Sequence, residues 1–389
     1  MTAPGSGVAS GMAASGAHAL EIAYENGVIT AIDTADAPSG SRALPVLAPG
    51  FVDAQVNGFD GLDVNARDLA PHTIIALTRR LARLGVTTWI PTIVTASEEA
   101  ILSRLAAIAS ARETDLATAL AIPDVHLEGP FISHRDGPRG VHDAAVMRPI
   151  DPEEVQRWQA TGAPIGIVTV SPHEPDAPVG IARLVSLGIR VAIGHTHATP
   201  QQITAAVDAG ASLSTHLGNG IDSVLPRHPN AIWTQLAEDR LTAGIIGDGH
   251  HLPLETVEVF LRAKSVDRAF LVSDTTDIAG RAPGQHESSV GGTVELSIDG
   301  RLSYADTGYL AGSGVDLARA FRTVLAGTTL SLEQALKLVT STPAGILPHA
   351  RPGLGRLVVG APADLVTLDP RTGAVLGVVQ SGRAIEPHR

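Results

Sequence analysis

The chain has 389 residues, of which 44% are hydrophobic and 17% charged, with 40 Gly, 26 Pro and no Cys. Such a chain buries a large core, which excludes global disorder, and it can hold no disulfide, thiolate ligand or cysteine nucleophile. A net charge of −12 and only 3% aromatics leave neither a positive field nor a stacking platform for nucleic acid.

Residues 1–17 are rich in Ala, Gly and Ser. They read as a flexible tail, without the basic start and apolar stretch of a secretory signal. No run of about 18 apolar residues follows, so no membrane partner is expected. A cytoplasmic enzyme is the simplest expectation. Short apolar runs on either side of Glu25-Asn26-Gly27 predict a hairpin, because Asn-Gly accepts the positive φ angles of a tight turn. The C-terminal runs 364–368 and 374–379, joined by 369–373, have the same character. Segments 18–48 and 349–389 are therefore expected to form one small β-sandwich domain around residues 49–348.

That middle part alternates short apolar runs with amphipathic stretches. Strand ends fall near Asn57, Thr92, Glu128, Val170, His195, His216, Asp248 and Asp274. Helical spacing covers 71–84, 98–111, 152–160, 181–187, 200–209, 231–238 and 253–263, then 315–326 and 332–340. Eight strand–helix units predict an α/β fold, a (β/α)8 TIM-type barrel. In such a barrel all C-terminal strand ends open on one face, so polar residues far apart in sequence converge there.

Four of those ends carry chemistry. Glu128 follows an apolar run, where an unpaired carboxylate is costly. His195 and His216 follow two further strands. Each alone is equally a hydrogen-bonded strand-end residue; together they suit one divalent metal with an open position, most simply Zn²⁺, with Fe²⁺, Co²⁺ and Mn²⁺ also accepted. Asp274, at the last strand end, is placed to take a proton from water. The other histidines, His72, His134, His173, His228, His250, His286, His349 and His388, read as solvated or structural, and His197 as a neighbour of the metal ligands.

The motifs Pro49-Gly50-Phe51-Val52-Asp53, His126-Leu127-Glu128-Gly129-Pro130-Phe131, Gly194-His195-Thr196, Thr215-His216-Leu217 and Ser273-Asp274 resemble the amidohydrolase superfamily, in order. Gly140-Val141-His142, Asp248-Gly249-His250-His251, the lid-like 277–284 and Leu310-Ala311-Gly312-Ser313 narrow the resemblance to the N-acetylglucosamine-6-phosphate deacetylase family. It runs from about residue 44 to 379. The resemblance implies Glu128, His195 and His216 as metal ligands, Asp274 as general acid/base, and His142 as the residue polarising the acetyl carbonyl. It implies substrate contacts at Asn219, Gly220, Arg227, His251, Leu310, Ala311 and Gly312. It also implies a homodimer, with the arginine contact to phosphate reaching across from the neighbouring chain. The implied reaction is hydrolysis of the acetamide of an amino sugar phosphate by a water that the metal activates, yielding acetate.

The chain departs from the pattern in three places. Gln55-Val56-Asn57 stands where many amidohydrolases carry His-x-His, so a second metal site is expected to be empty or weak. Leu217-Gly218-Asn219-Gly220-Ile221 lacks an aromatic that usually walls the sugar pocket. Ser171-Pro172-His173-Glu174 replaces a more usual Ala-Pro-Glu. Other readings are an amidohydrolase acting on the galacto isomer, an unphosphorylated sugar or another amide, and a non-catalytic barrel.

Overall fold

The computed structural model describes residues 4–37, 44–288 and 292–387; His388 lies outside them. Eight parallel strands form the central sheet in sequence order: β1 (Phe51–Val56), β2 (Val86–Val94), β3 (Val125–Glu128), β4 (Ile165–Val170), β5 (Arg190–Ile193), β6 (Leu213–Ser214), β7 (Thr242–Ile246) and β8 (Ala269–Val272). The sheet curls shut where β8 meets β1. Asp274 N donates to Gln55 O (3.0 Å), Asn57 N donates to Thr275 O (2.9 Å), and Val56 bridges Thr275. The barrel interior is filled by Val52, Ala54, Ile90, Ile167, Ala192, Leu213, Ile246, Phe270 and Val272. A second apolar layer joins the outer strand faces to the helices, with Trp89, Trp158 and Phe321 fully buried in it.

All nine expected helices form, as Pro71–Ala82, Glu98–Thr114, Pro152–Gln159, Ala177–Ser186, Pro200–Asp208, Ala231–Ala237, Leu254–Lys264, Leu317–Gly327 and Leu332–Lys337. Their starts are chemically marked. Ser97, Asp151, Asn230 and Asp316 cap through their side chains, and Thr199 and Ser331 complete capping boxes with Gln202 and Gln334. The helix expected over 181–187 begins earlier, at Ala177, since Pro178 fits a first turn that needs no N–H from it. No helix among the described residues is long and apolar enough to cross a membrane.

Both chain ends build one seven-stranded sheet. His18–Glu25 and Val28–Asp36 pair across Asn26 (φ 51°) and Gly27 (φ 77°), as the Asn-Gly pair predicts. Leu365–Leu368 and Val375–Gln380 pair in turn, and Leu365–Leu368 also lies against Val46–Pro49. One expectation is corrected. The tail expected over 1–17 contributes a strand, Gly7–Met12, paired along its length with residues 19–24. The expected β-structure from both termini forms as one hydrogen-bonded sheet that curls over Ile22, Tyr24, Ile29, Leu47, Ala361, Ala363 and Leu365. A further three-stranded sheet, Gly284–Glu287, Thr293–Leu296 and Leu302–Tyr304, was not expected; it follows the lid-like segment and packs on Ile278 and Ala311.

Asp53 pins the barrel seam. Its Oδ1 accepts from Ser273 N at 3.1 Å. Complete burial pushes its carboxyl up to about 7, against those hydrogen bonds. An acid with a raised folded pKa favours the fold at low pH and loses that contribution as pH climbs from about 4 to 7. Asp53→Asn keeps the acceptor and removes the cost. Its stability should therefore gain on wild type by about 1.4 kcal/mol per pH unit from pH 5 to 7 and level off above, read as a widening gap in melting temperature. Parallel melting curves for the two proteins would show that Asp53 is already ionised across that range in the folded protein.

Candidate active site and metal centre

Three barrel strands deliver three donors to one point. Glu128 closes β3, and His195 and His216 follow β5 and β6 by two residues. Glu128 Oε1 lies 3.2 Å from His195 Nε2 and 2.9 Å from His216 Nε2, and the two nitrogens are 3.1 Å apart. A tetrahedral ion with ligands at 2.0–2.1 Å places its donors about 3.3 Å apart, so the spacing fits one. The outer nitrogens support this. His195 Nδ1 sits 2.8 Å from the Pro138 carbonyl, which can only accept, so Nε2 keeps its lone pair for a cation. His216 Nδ1 is buried without a hydrogen-bond partner among the described residues. Two nitrogens and a carboxylate oxygen do not crowd this closely on lone pairs alone; a proton or a metal has to lie between them. His142 also offers a donor, and with Glu128 and His195 it makes a buried group whose ligand atoms all lie within 4.8 Å.

Backbone strain marks the same residues. His195 (φ 46°), His216 (φ 25°) and Asp274 (φ 50°) are non-glycine residues in the left-handed region, each just past a barrel strand. Strain of this kind costs on the order of 1–3 kcal/mol per residue and persists where the surroundings fix it, as at active sites.

The charges are graded. Burial alone would raise the Glu128 carboxyl, but His195 and His216 hold it well below its usual range. Burial works against a charge on His216, yet its contact with Glu128 raises it. Asp274 is pushed up to about 6, by burial first and by the Glu128 charge second. Its Oδ1 accepts from Gln55 Nε2 (3.1 Å) and Asn57 Nδ2 (2.7 Å), and Gln55 Nε2 also donates to Glu128 Oε1 (2.9 Å). Where His-x-His would offer lone pairs to a second ion, these amides present N–H groups to both carboxylates. His142 is neutral, since burial pulls it down to about 3; its Nδ1 lies 2.9 Å from Thr95 Oγ1.

These residues open on a cavity of about 220 Å³. Glu128, His142, His195, His216, Asn219, Gly220, His251, Asp274, Leu310, Ala311 and Gly312 all line it. His251 Nδ1 is paired with Asp248 Oδ2 at 2.7 Å. Burial would raise Asp248, but the imidazole and the N–H groups of His250 and His251 hold it down at about 2. Gly220 is required as glycine: its φ is 58°, and a Cβ would stand 2.8 Å from His195 Nδ1. Arg227 alone among the expected site residues is not brought in; it is exposed and outside the cavity.

Sequence reasoning missed several wall residues. Asn65, Thr276 and Asp277 line the cavity, and Thr95 orients His142 from behind. A hydroxyl or amide in a loop carries no periodic signal, so only three-dimensional closeness reveals them.

Residues 46–385 match the amidohydrolase family model. An N-acetylgalactosamine-6-phosphate deacetylase of Shewanella sp. (strain ANA-3) is 32% identical over 88% of this chain and 84% of its own. The N-acetylglucosamine-6-phosphate deacetylase of Rattus norvegicus is 33% identical over 83% of this chain and 80% of its own. A mutant of the Mycobacterium smegmatis N-acetyl-D-glucosamine-6-phosphate deacetylase, solved in complex with N-acetyl-D-glucosamine-6-phosphate, superposes with a TM-score of 0.84 at 27% identity over 94% of each chain.

Proposed function

Because the chain belongs to the amidohydrolase family, in its N-acetylglucosamine-6-phosphate deacetylase branch, we infer that it hydrolyses the acetamide of N-acetylglucosamine-6-phosphate to glucosamine-6-phosphate and acetate. The observation that carries this reading is the convergence of Glu128, His195 and His216, within 3.2 Å of one another, in one cavity with Asp274. A divalent ion held by those three residues, most simply Zn²⁺, would polarise the acetyl carbonyl and acidify the attacking water.

The chain's own groups do the rest. Asp274 Oδ1 is held by two amides, so Oδ2 is left to take the proton from water and return it to the leaving nitrogen. Thr95 Oγ1 anchors His142 Nδ1 at 2.9 Å, which leaves Nε2 as the ring nitrogen turned toward the oxygen that gains charge. Asn219, Gly220, His251 and Leu310–Gly312 wall the sugar. A homodimer in which Arg227 of one copy meets the phosphate in the other explains why this arginine stands outside its own cavity. Arg227→Ala should then raise KM for the phosphorylated sugar by ~10- to 100-fold, the cost of one charge-assisted hydrogen bond, with kcat nearly unchanged. An unchanged KM would remove Arg227 from substrate binding. The absence of cysteine suits a cytoplasmic enzyme.

The test is acetate release from N-acetylglucosamine-6-phosphate, the galacto isomer and unphosphorylated N-acetylglucosamine, with metal quantified. Fast release from the first supports the reading; no release from it, with metal bound, refutes it. The galacto isomer is the second reading, favoured by N-acetylgalactosamine-6-phosphate deacetylases 32% and 30% identical to this chain.

A further inference from the structure

We propose that His134, His173 and His197, with Glu174, form a separate site for a divalent transition-metal ion on the rim of the barrel, beside the catalytic cavity. The three histidines follow neighbouring strands. His134 lies beyond β3, His173 and Glu174 beyond β4, and His197 beyond β5, so the fold sets them side by side. Their rings form a cluster: His173 and His197 have centroids 4.5 Å apart, and His134 stands 6.2 and 6.5 Å from them. Imidazoles sharing a tetrahedral ion at 2.0–2.1 Å have ring centres about 5 Å apart. The His195–His216 pair of the catalytic site shows 4.8 Å on the same measure. His173 and His197 therefore already have chelating spacing. His134 needs to move inward by about 1.5 Å, and it is exposed on a loop.

The hydrogen bonds point to a cation independently of that spacing. His173 Nδ1 faces Ser171 Oγ at 2.7 Å and the Ser171 carbonyl at 3.2 Å. The Ser171 hydroxyl gives its proton to Thr196 Oγ1 (2.8 Å), so both groups accept from Nδ1 and the His173 proton sits there. Nε2 is left with a lone pair. It nevertheless faces Glu174 Oε1 at 3.2 Å. A lone pair against a carboxylate is repulsive unless a cation lies between them or the ring takes a second proton. The second proton is disfavoured: burial pulls the His173 pKa below its ordinary value and outweighs the Glu174 charge, which raises it. His197 Nδ1 faces Ser133 Oγ at 2.6 Å, so Nε2 is the ring nitrogen without that partner. Rings anchored through the outer nitrogen are the usual arrangement of metal-bound histidines.

Neutral imidazoles with one carboxylate suit Zn²⁺, Co²⁺, Ni²⁺ or Cu²⁺, and the chain has no thiolate to compete. His134, His173 and Glu174 line a groove of about 800 Å³, which gives the ion a solvent path and room for a water or anion ligand. The site shares no donor with the catalytic set.

The experiment is a metal count. Enzyme equilibrated with Zn²⁺ and passed through a desalting column should carry about one more ion per chain than His173→Ala or His134→Ala/Glu174→Gln treated alike. Reading the difference removes the catalytic ion from the comparison, so failure of the deacetylase reading and failure of this one stay distinguishable. Acetate release should agree among the three proteins within about twofold. Equal metal contents would overturn the proposal. In case a variant folds poorly, Co²⁺ titration of the wild-type chain reads the same point: a second, weaker step in the visible absorption is expected, and a single step overturns it.

Discussion

Asp274→Asn should fold, keep its metal and lose ~10²- to 10⁴-fold in turnover, the range for a positioned general acid/base. Asparagine preserves the oxygen that accepts from Gln55 Nε2 and Asn57 Nδ2, so the β1–β8 seam stays closed. It cannot accept a proton from water or return one to the leaving nitrogen. Stability should move the other way. Burial and the Glu128 charge raise the Asp274 carboxyl to about 6. A raised acid pKa means that ionisation costs folding energy above that pH, and the amide escapes the cost. The metal-free variant should therefore melt higher than metal-free wild type at pH 8, and the gap should close toward pH 5. Lost turnover with a raised melting temperature is a signature misfolding cannot imitate. Turnover close to wild type would end the acid/base assignment.

The barrel was legible because its strands are apolar until their last residues. Glu128, His195, His216 and Asp274 stand at the ends of β3, β5, β6 and β8, and a parallel barrel has only one place to put them. The hairpin at Asn26-Gly27 was legible because both residues need positive φ. The strand Gly7–Met12 was not. Its sequence GVASGM has few β-formers, and only Met12 is buried, so no alternation betrays it; backbone pairing with residues 19–24 holds it. The strand Gly284–Glu287 has the polar sequence GQHE and was hidden in the same way. At the site, ligands could be named because a buried charge needs a partner. Thr95 could not, because its role depends on where His142 comes to rest. His173 looked like a solvated loop residue, and only the juxtaposition of β4 and β5 shows it beside His197.

Glu128→Gln should abolish tight metal binding and, with it, acetate release. The carboxylate is the one formal charge in the proposed ligand set, and Oε1 is the atom to which both His Nε2 groups converge. Glutamine leaves at best a neutral carbonyl oxygen there, a weak ligand, and its NH₂ group has to face Gln55 Nε2 or an imidazole. Since outer-sphere changes alone weaken metal sites by about 10- to 100-fold, loss of a direct ligand should cost more than that. Thermal melting separates this from a folding defect. Metal at 100 times its Kd stabilises a protein by about 2.7 kcal/mol, so wild type should melt several degrees higher with metal than after chelation. Glu128→Gln should melt at one temperature in both conditions, near that of the chelated wild type, because the carboxylate that demanded a cation is gone. Wild type stripped by chelation should recover its turnover on adding back Zn²⁺ or Co²⁺, while the variant should not. A Glu128→Gln protein that keeps its ion and its turnover would move the metal onto the overlapping donors of His142 and His195, which share the same 4.8 Å group.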